Sequence, residues 1–345
     1  MRLLVTGANG LVGSRACALL IKAGHEVTGA SRGPLRASAH LGDALAARSA
    51  GTAEDGSSRA SARSGASPEQ SVRGAESDSS RPGAPFTYVP ADLTRPEDVA
   101  RAVEVARPEA ILHTASMTEV DACERAPLDA WAANVTAPEL LAREARRTGA
   151  HLVAVSTDYV FDGEAGPYSE EAVPNPRGAY AVSKHAGELA VRTLAPSWAI
   201  ARTAVVYGWP PAGRPNFGAW LLGKLEKGEP VKLFSDQHVS PSLADNVAAM
   251  VAELAVRGLK GIWNTCGAEV VSRVEYGRAL CEVFGLDASL LQPSLLAEAG
   301  LASPRPRRSG LKTDKAAAAL EARPLPLLES LRRFHAAWKS AGGRT

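Results

Sequence analysis

The chain has 345 residues, 45% of them hydrophobic and 22% charged, so it is long enough to form one large α/β domain with a smaller appended lobe. Its formal net charge is only +2 and the arginines form no continuous basic stripe, which argues against a nucleic-acid-binding protein. The four cysteines have no spacing typical of a metal site or a disulfide framework, and the leading apolar run is too short for a membrane span or a secretory signal. We therefore expect a cytoplasmic protein without a metal ion and without membrane contact.

A short apolar strand over Arg2–Thr6 leads into the sequence GANGLVG at residues 7–13 and then a helix to about Ala23. A strand, a glycine turn and a helix amino terminus leave free N–H groups and the positive end of the helix dipole facing one point. The glycines allow the sharp turn and the close packing of the helix on the sheet. We expect this G-x-x-G-x-x-G segment to hold the pyrophosphate of a dinucleotide through Gly7, Asn9, Gly10, Leu11, Val12 and Gly13.

The second strand, 26–31, ends in the sequence Ser31-Arg32-Gly33. Enzymes specific for NAD usually place an acidic residue here for the ribose hydroxyls. The Arg32 guanidinium can instead make bidentate contacts to a ribose phosphate, with Ser31 beside it. We predict NADP rather than NAD, the alternative being an ordinary surface arginine.

Residues 34–85 are crowded with serine, alanine, glycine and arginine and contain no aromatic residue. Such a composition cannot bury enough surface to offset its ordering entropy. We therefore predict a largely disordered insertion between the second and third strands, in which residues 35–47 are open to helix formation. A surface insertion is the interpretation we favour, and a lid or a partner-binding segment is the alternative.

Candidate strands follow at 86–89, 110–113 and 151–155, separated by helical stretches. This alternation requires crossover connections, so it predicts an α/β fold, a Rossmann-like doubly wound parallel sheet with ligands beyond the carboxyl ends of the strands. We assign residues 1–205 to the NADP-binding domain and residues 206–345 mainly to a smaller substrate-binding lobe, with some segments returning to the main domain. Residues just past the third and fourth strands are expected to meet the cofactor, namely Asp92, Leu93, Thr114, Ala115, Ser116 and Thr118.

Two local features of the first half have structural interpretations. The sequence Thr94-Arg95-Pro96-Glu97 predicts that Thr94 caps a helix running to about Ala106. His113 and His151 lie at or beside apolar strands and have no identifiable acidic partner, so we expect both to be structural.

Tyr180 and Lys184 stand four residues apart in a segment whose composition favours helix, so both side chains project from one face. A free tyrosine hydroxyl titrates near pH ~10, but a nearby ammonium stabilises the phenolate and lowers the pKa. Tyr180 then becomes a usable proton donor. The alternative is a pair of ordinary residues on a helix surface.

Several further stretches share a pattern with a known family. They are VSTDYVFDG at 155–163, RTAVVYG at 202–208, DQHVSP at 236–241, ADN at 244–246, RP at 305–306 and LKT at 311–313. In these stretches the chain resembles the extended short-chain dehydrogenase/reductase superfamily, and within it the dTDP-4-dehydrorhamnose reductase family. The resemblance covers nearly the whole chain outside the insertion.

The resemblance implies a catalytic trio of Thr157, Tyr180 and Lys184, with Asp158 beside the sugar. It implies NADPH-dependent reduction of a nucleotide-linked 4-keto-6-deoxy sugar such as dTDP-4-dehydro-L-rhamnose, in which the nicotinamide gives a hydride and Tyr180 a proton. Lys184 would also bind the nicotinamide ribose. Val205 stands where the family usually has a tryptophan, and Arg308 where it has an asparagine, so we expect both positions to alter substrate binding.

Two other functions stay open within the same resemblance. One is a nucleotide-sugar epimerase or dehydratase, which would retain its nicotinamide within each turnover. The other is a non-catalytic NADP-binding subunit resembling the regulatory β subunit of methionine adenosyltransferase. A homodimer is compatible with each of these functions.

Overall fold

The computed structural model describes residues 1–36, 39–51, 86–210 and 215–343. Its centre is a seven-stranded parallel sheet with the spatial order β3-β2-β1-β4-β5-β6-β11. The chain leaves β1 toward one edge of the sheet and later returns beside β1 to build the other edge, so the strand order reverses between β1 and β4. These strands are β1 (Arg2–Thr6), β2 (Glu26–Ser31), β3 (Phe86–Pro90), β4 (Ala110–His113), β5 (His151–Thr157), β6 (Trp198–Thr203) and β11 (Gly261–Asn264).

Helices cover both faces of this sheet because the strands are apolar on both faces. Leu3 and Val5 of β1 face one core, and Leu4 faces the other. The first core lies under α1 (Leu11–Lys22), α2 (Ala39–Gly51) and α9 (Ala244–Arg257). The second core lies under α3 (Pro96–Ala106), α6 (Ala137–Thr148) and α7 (Gly178–Leu194), while α4 (Val120–Arg125) and α5 (Pro127–Trp131) precede α6 in the chain.

A third core lies in the carboxyl-terminal part, around Tyr207, Tyr276 and Phe334. Their rings meet edge to face, with centroids 5.2 and 5.6 Å from that of Tyr207. The surrounding elements are α8 (Phe217–Leu225), α10 (Arg273–Phe284), α12 (Leu327–Ser340) and the short strands β7 (Val206–Tyr207), β8 (Val231–Phe234), β10 (Ser242–Leu243), β12 (Val271–Ser272) and β13 (Leu291–Ser294). The strand β9 (His238–Val239) pairs with β12, and α11 (Asp314–Ala319) packs on β11 and contributes Ala316 to the first core. From this half of the chain, β11 returns to the main sheet and pairs with β6.

The predicted α/β class with a doubly wound parallel sheet is confirmed. Residues 35–47, which the sequence left open to helix formation within a largely disordered insertion, overlap α2, and this helix begins at Ala39 and ends at Gly51. It forms because Leu41 and Ala44 are buried in the first core, beside α1. The rest of the expected insertion, residues 52–85, lies outside the described residues, so the disorder predicted there stays a prediction.

The expected cap of α3 is wrong. The helix begins at Pro96 with Arg95 as the capping residue, and no side chain bonds to its free N–H groups. The Thr94 hydroxyl instead donates to Asp92 Oδ1 over 2.8 Å, which fixes the loop before the helix. Because the helix starts one residue later than expected, Thr94 lies before the capping position and its hydroxyl bonds within the loop.

Three further observations concern the described residues as a whole. All helices in this part of the chain are too short or too polar to cross a membrane. No group of histidine, cysteine, aspartate and glutamate side chains in the described ranges is arranged to hold a metal ion. All four cysteines are buried and form no disulfide.

Candidate active site

The glycine turn between β1 and α1 leaves no room for a side chain at Gly7 or Gly13. Gly7 has a φ of 75°, and a Cβ added to it would lie 2.7 Å from both Ala115 N and Thr114 Oγ1. A Cβ on Gly13 would lie 2.2 Å from the Gly7 carbonyl oxygen, so α1 packs directly on the turn. The backbone at this point is bare, as close approach of a ligand requires.

The amino terminus of α1 carries no competing group. Its capping residue is Gly10, no side chain bonds to the first N–H groups, and no acidic residue lies in the first turn. The backbone N–H groups of the first helical residues, which include Leu11 and Val12, are therefore free to bind an anion. The turn and the helix end together fit the pyrophosphate of a dinucleotide.

Asn9 lies in the same turn, but its side chain points to the segment after β2. Its Oδ1 accepts from Arg36 N over 2.9 Å, and its Nδ2 donates to Pro34 O over 3.0 Å. Ser31 ends β2, and its Oγ accepts from Asn9 N over 3.1 Å. The glycine turn and the segment expected to bind the ribose phosphate are thus directly joined.

Arg32 and Asp92 lie at the carboxyl ends of β2 and β3. Arg32 is exposed. Hydrogen bonds from Thr94 lower the pKa of Asp92, and the charge of Arg32 adds to this effect. Leu93 is buried in the second core and offers a ligand no side-chain surface. The structure therefore brings Arg32 and Asp92 near each other and turns the Leu93 side chain inward.

The segment after β4 forms the other wall of the turn. Thr114 donates to the Thr6 carbonyl oxygen through both N and Oγ1, over 3.1 and 2.7 Å. Ser116 is half-buried and Thr118 is exposed in the loop before α4. Thr114 and Ala115 thus touch the glycine turn, whereas Thr118 lies farther along the loop.

Thr157, Tyr180 and Lys184 meet at the carboxyl end of β5. Thr157 is the last residue of β5, and the other two lie in the first turns of α7. Lys184 Nζ donates to Val155 O of β5 over 2.8 Å, which fixes α7 against the strand. All three residues are at most 8% exposed, so they form one nearly dry cluster.

A hydrogen-bonded histidine connects this cluster with the glycine turn. His113 ends β4, which lies between β1 and β5, and its Nδ1 is 2.7 Å from Thr6 Oγ1. Burial lowers the pKa of His113 to about 3, and the charge of Lys184 contributes to the lowering. His113 is therefore neutral, as expected for a structural residue. The glycine turn follows the carboxyl end of β1, and Tyr180 lies at the carboxyl end of β5, so both are at the same end of the parallel strands.

The direction predicted for the Tyr180 pKa is wrong for the free protein. Burial raises this pKa well above the ordinary value, and the Thr157 side chain opposes the rise only in part. Tyr180 is enclosed by Cys123 and Ala130 and by the edge of the Tyr159 ring, 5.7 Å away. Burial also lowers the pKa of Lys184 to about 8. The dry surroundings disfavour both charged forms, so the lysine does not make the phenol acidic.

Asp158 is buried directly after Thr157. Burial raises its pKa to about 6, although hydrogen bonds from Ser309 and Thr157 lower it. Ser309 Oγ lies 2.5 Å from Asp158 Oδ2, and Thr157 Oγ1 lies 3.1 Å from Asp158 Oδ1. Both oxygens of the carboxylate that was expected beside the sugar thus already accept hydrogen bonds from side chains of the same chain.

The two residues expected to alter substrate binding lie in unusual positions. Val205 has a φ of 41°, a conformation that β-branched residues rarely adopt and that is typical of functional sites. Arg308 is exposed and donates to the Glu164 carbonyl oxygen over 2.7 Å, so its guanidinium bonds to a neighbouring loop. The positive charge that helps to lower the pKa of Asp158 belongs to Arg273 and not to Arg308.

Arg273 and Arg305 are two further charged residues near the site, to which the sequence analysis assigned no role. Arg273 Nε donates to Gln237 Oε1 over 2.9 Å, and one terminal nitrogen is buried with no hydrogen-bond partner in the described structure. Arg305 pairs with Asp121 over 2.8 Å, which holds the segment around residue 305 against α4. The RP sequence at 305–306 was a signal for Arg305, but no local pattern indicated Arg273.

A buried ion pair supports the catalytic helix from behind. Glu188 lies on α7 one turn after Lys184, and both its oxygens accept from Arg202 of β6, over 3.0 and 2.7 Å. Ser156 Oγ donates to the same carboxylate over 2.5 Å. The pair joins α7, β5 and β6 beneath the trio.

A surface cavity of about 890 Å³ lies at the opposite, amino-terminal end of the strands, between Arg2, Arg107 and Arg147. Arg2 begins β1, Arg107 follows the carboxyl end of α3 and Arg147 lies in the last turn of α6, so all three are far from the glycine turn. Ligands of this fold bind at the carboxyl ends of the strands. The cavity is therefore not the cofactor site.

A family model described as the RmlD substrate binding domain matches residues 1–339. The chain belongs to this family. The predicted family is thereby confirmed, and so is the assignment to the NAD(P)-dependent oxidoreductases that act on a sugar carbonyl or CH–OH group.

Two relatives of this RmlD-family chain are named as reductases. It is 37% identical to the probable low-salt glycan biosynthesis reductase Agl14 of Haloferax volcanii over 223 residues, 64% of this chain and 74% of that protein. It is 34% identical to the dTDP-4-dehydrorhamnose reductase of Mycobacterium tuberculosis over 229 residues, again 64% and 74% of the two chains. The structure of the Bacillus anthracis dTDP-4-dehydrorhamnose reductase in complex with NADP superposes with a TM-score of 0.73 and 23% identity, covering 97% of this chain and 98% of that chain. This last likeness supports the fold.

Proposed function

We propose that this RmlD-family chain reduces a nucleotide-linked 4-keto-6-deoxy sugar, such as dTDP-4-dehydro-L-rhamnose, with NADPH. The observation that carries the proposal is that Tyr180, Lys184 and Thr157 lie at the same end of the parallel strands as the glycine turn, namely the carboxyl end. A proton donor and a dinucleotide site are then close enough to act on one substrate. The names of the relatives support the choice of a sugar carbonyl.

The nicotinamide, when bound, supplies the hydride. Tyr180 supplies the proton to the carbonyl oxygen, and its raised pKa keeps the phenol protonated at neutral pH until substrate arrives. The Thr157 hydroxyl orients the same oxygen. Lys184, whose pKa burial lowers to about 8, is mostly charged at pH 7 and stabilises the phenolate that remains after proton transfer. Lys184 thus acts by stabilising the phenolate formed in the proton transfer, and not by lowering the pKa of Tyr180 in the free protein.

The preference for NADP over NAD is part of the proposal. Arg32 is exposed at the end of β2, at the position where NAD-specific enzymes carry a carboxylate. A guanidinium there favours a ribose phosphate and gives no advantage to a bare ribose. Several other points remain predictions from the sequence. They are a nucleotide-sugar partner, a homodimer, a cytoplasmic location, a domain division between residues 205 and 206, and substrate roles for Asp158, Val205 and Arg308.

The test is a direct assay of turnover. The purified chain is mixed with NADPH and an enzymatically prepared dTDP-4-keto-6-deoxy sugar, and the loss of reduced-nicotinamide absorbance is followed. Consumption of one NADPH per sugar supports the reductase. No net consumption, with nicotinamide already bound after purification, would favour an epimerase or dehydratase. Added NADPH that binds but is not consumed, with no nicotinamide bound after purification, would favour a regulatory subunit.

A further inference from the structure

Tyr88 lies beneath the segment that follows β2. It is on β3, where it pairs in register with Gly29 of β2. Its hydroxyl lies 2.9 Å from the Gly33 carbonyl oxygen and 3.3 Å from that of Ser31, and it has one proton to donate to them. The same hydroxyl accepts from Asn9 Nδ2 over 3.0 Å. One phenol therefore bonds to both the glycine turn and the segment after β2.

Asn9 holds the same segment from its other side. Its side-chain amide bonds to Pro34 O and Arg36 N, and its backbone N–H bonds to Ser31 Oγ. A turn with Gly33 at a φ of 73° would otherwise leave these backbone groups to water. Together, Asn9 and Tyr88 fix residues 31–36 at several points, and among the bonds of the described residues only Ser31 Oγ contributes a side chain of the segment itself.

The segment carries two exposed arginines, Arg32 and Arg36. The charge of Arg32 reaches Asp92, whose pKa it helps to lower. The charge of Arg36 reaches the Tyr88 hydroxyl, where it opposes the effect of burial on the pKa. Both charges therefore act on side chains of β3 or of the loop that follows it, so the two arginines lie on the side of the segment that faces β3. A flexible arginine loses much rotamer entropy on binding, so a fixed backbone makes its contacts less costly.

We propose that Tyr88 and Asn9 are positioning residues for cofactor choice, which hold residues 31–36 so that Arg32 and Arg36 face the ribose 2′-phosphate of NADP. This inference rests on the proposed preference for NADPH. A guanidinium binds a phosphate dianion more strongly than ribose hydroxyls, so NADH should gain less than NADPH from the fixed segment. Tyr88 and Asn9 act through the arginines and not on the reacting atoms.

The experiment measures dissociation constants of NADPH and NADH, by the fluorescence of the bound nicotinamide, for wild type and for Tyr88→Phe. The phenylalanine keeps the ring and removes only the hydroxyl. Loss of one or two hydrogen bonds that order the segment should weaken NADPH binding by roughly five- to tenfold and NADH binding by less than about twofold. The matched control is Tyr168→Phe, whose hydroxyl donates to Asp162 over 2.8 Å, and it should leave both constants unchanged.

A second arm separates positioning from a general structural effect. In a chain that already carries Arg32→Ala and Arg36→Ala, Tyr88→Phe should change NADPH affinity by less than about twofold, because the groups it positions are gone. A full effect in that background would overturn the proposal. If Tyr88→Phe proves unstable, Asn9→Ala gives the same test from the turn side.

The outcomes also distinguish this inference from the proposed function. A wild type that binds NADPH and NADH equally would refute the proposed preference, and the inference with it. A wild type that prefers NADPH, with a preference unchanged in Tyr88→Phe, would overturn the inference alone and leave the reductase proposal intact.

Discussion

The buried pair of Glu188 and Arg202 allows a stability prediction with a defined magnitude. Glu188 is 3% exposed and Arg202 is fully buried, so neither charge has water to replace a lost partner. Glu188→Gln keeps the side-chain shape but leaves the guanidinium without a counter-ion. Breaking one side of a buried pair costs about 3–5 kcal/mol. In a chain of this size we expect a fall in Tm of roughly 4–7 °C.

The pH dependence of this difference has a defined sign. Burial by itself raises the pKa of Glu188, but hydrogen bonds from His185 and Arg202 and the Arg202 charge outweigh it and lower the pKa to about 2. A depressed folded-state pKa stabilises the protein above the ordinary value of 4.5 and loses this effect as the pH falls toward 2. The gap between wild type and Glu188→Gln should therefore narrow below pH 4.5.

The assay is thermal unfolding followed by circular dichroism, for wild type, Glu188→Gln and a surface control. Glu139 and Arg143 form a pair of 2.8 Å whose side chains are 36% and 61% exposed, so Glu139→Gln should cost less than about 0.5 kcal/mol. Equal shifts in Tm for the two variants would refute the reasoning about burial.

Three further predictions concern the site. In Gly13→Ala the new methyl group would lie 2.2 Å from Gly7 O, so NADPH affinity should fall at least about tenfold, whereas Gly42→Ala on α2, with nothing within 4 Å, should bind normally in the same fluorescence titration. Because burial lowers the pKa of Lys184 to about 8, the rate of NADPH oxidation should fall as the pH rises past that value, and Lys184→Arg should move the fall to higher pH. Burial raises the pKa of Asp158 from 3.8 to about 6, so the folded state loses stability as the pH rises between these values, and Asp158→Asn should raise Tm at about pH 8 but not at about pH 4.

Each of these predictions has a clear contrary result. Equal NADPH affinities for Gly13→Ala and Gly42→Ala would show that the turn does not hold the cofactor. A pH profile that is the same for wild type and Lys184→Arg would show that another group titrates. A difference in Tm between Asp158→Asn and wild type that is independent of pH would show that burial does not raise the pKa of the Asp158 carboxyl group.

Local patterns predicted the parts of the site that depend on neighbours in sequence. The glycine spacing at residues 7–13 specifies a turn that only a bare backbone can form, and the structure has that turn. The spacing of Tyr180 and Lys184 specifies one face of one helix, and both are on α7. The alternation of strands and helices likewise determines the parallel sheet.

Features that depend on packing between distant segments were not predictable in this way. The pKa of Tyr180 depends on how completely Cys123, Ala130 and Tyr159 enclose it, and no spacing in the sequence carries that information. Arg273 reaches Asp158 from more than a hundred residues away in the chain. Arg308 looked like a substrate donor by type alone, whereas its place on the fold directs it to Glu164.

The central claim is that Tyr180 gives the proton to a carbonyl held at the dinucleotide site. The most direct measurement is the turnover of Tyr180→Phe with NADPH and the keto sugar, together with its dissociation constant for NADPH. We expect cofactor binding within a few-fold of wild type and a loss of turnover of at least ~100-fold, the usual scale for removal of a general acid. Turnover equal to that of wild type would contradict the claim.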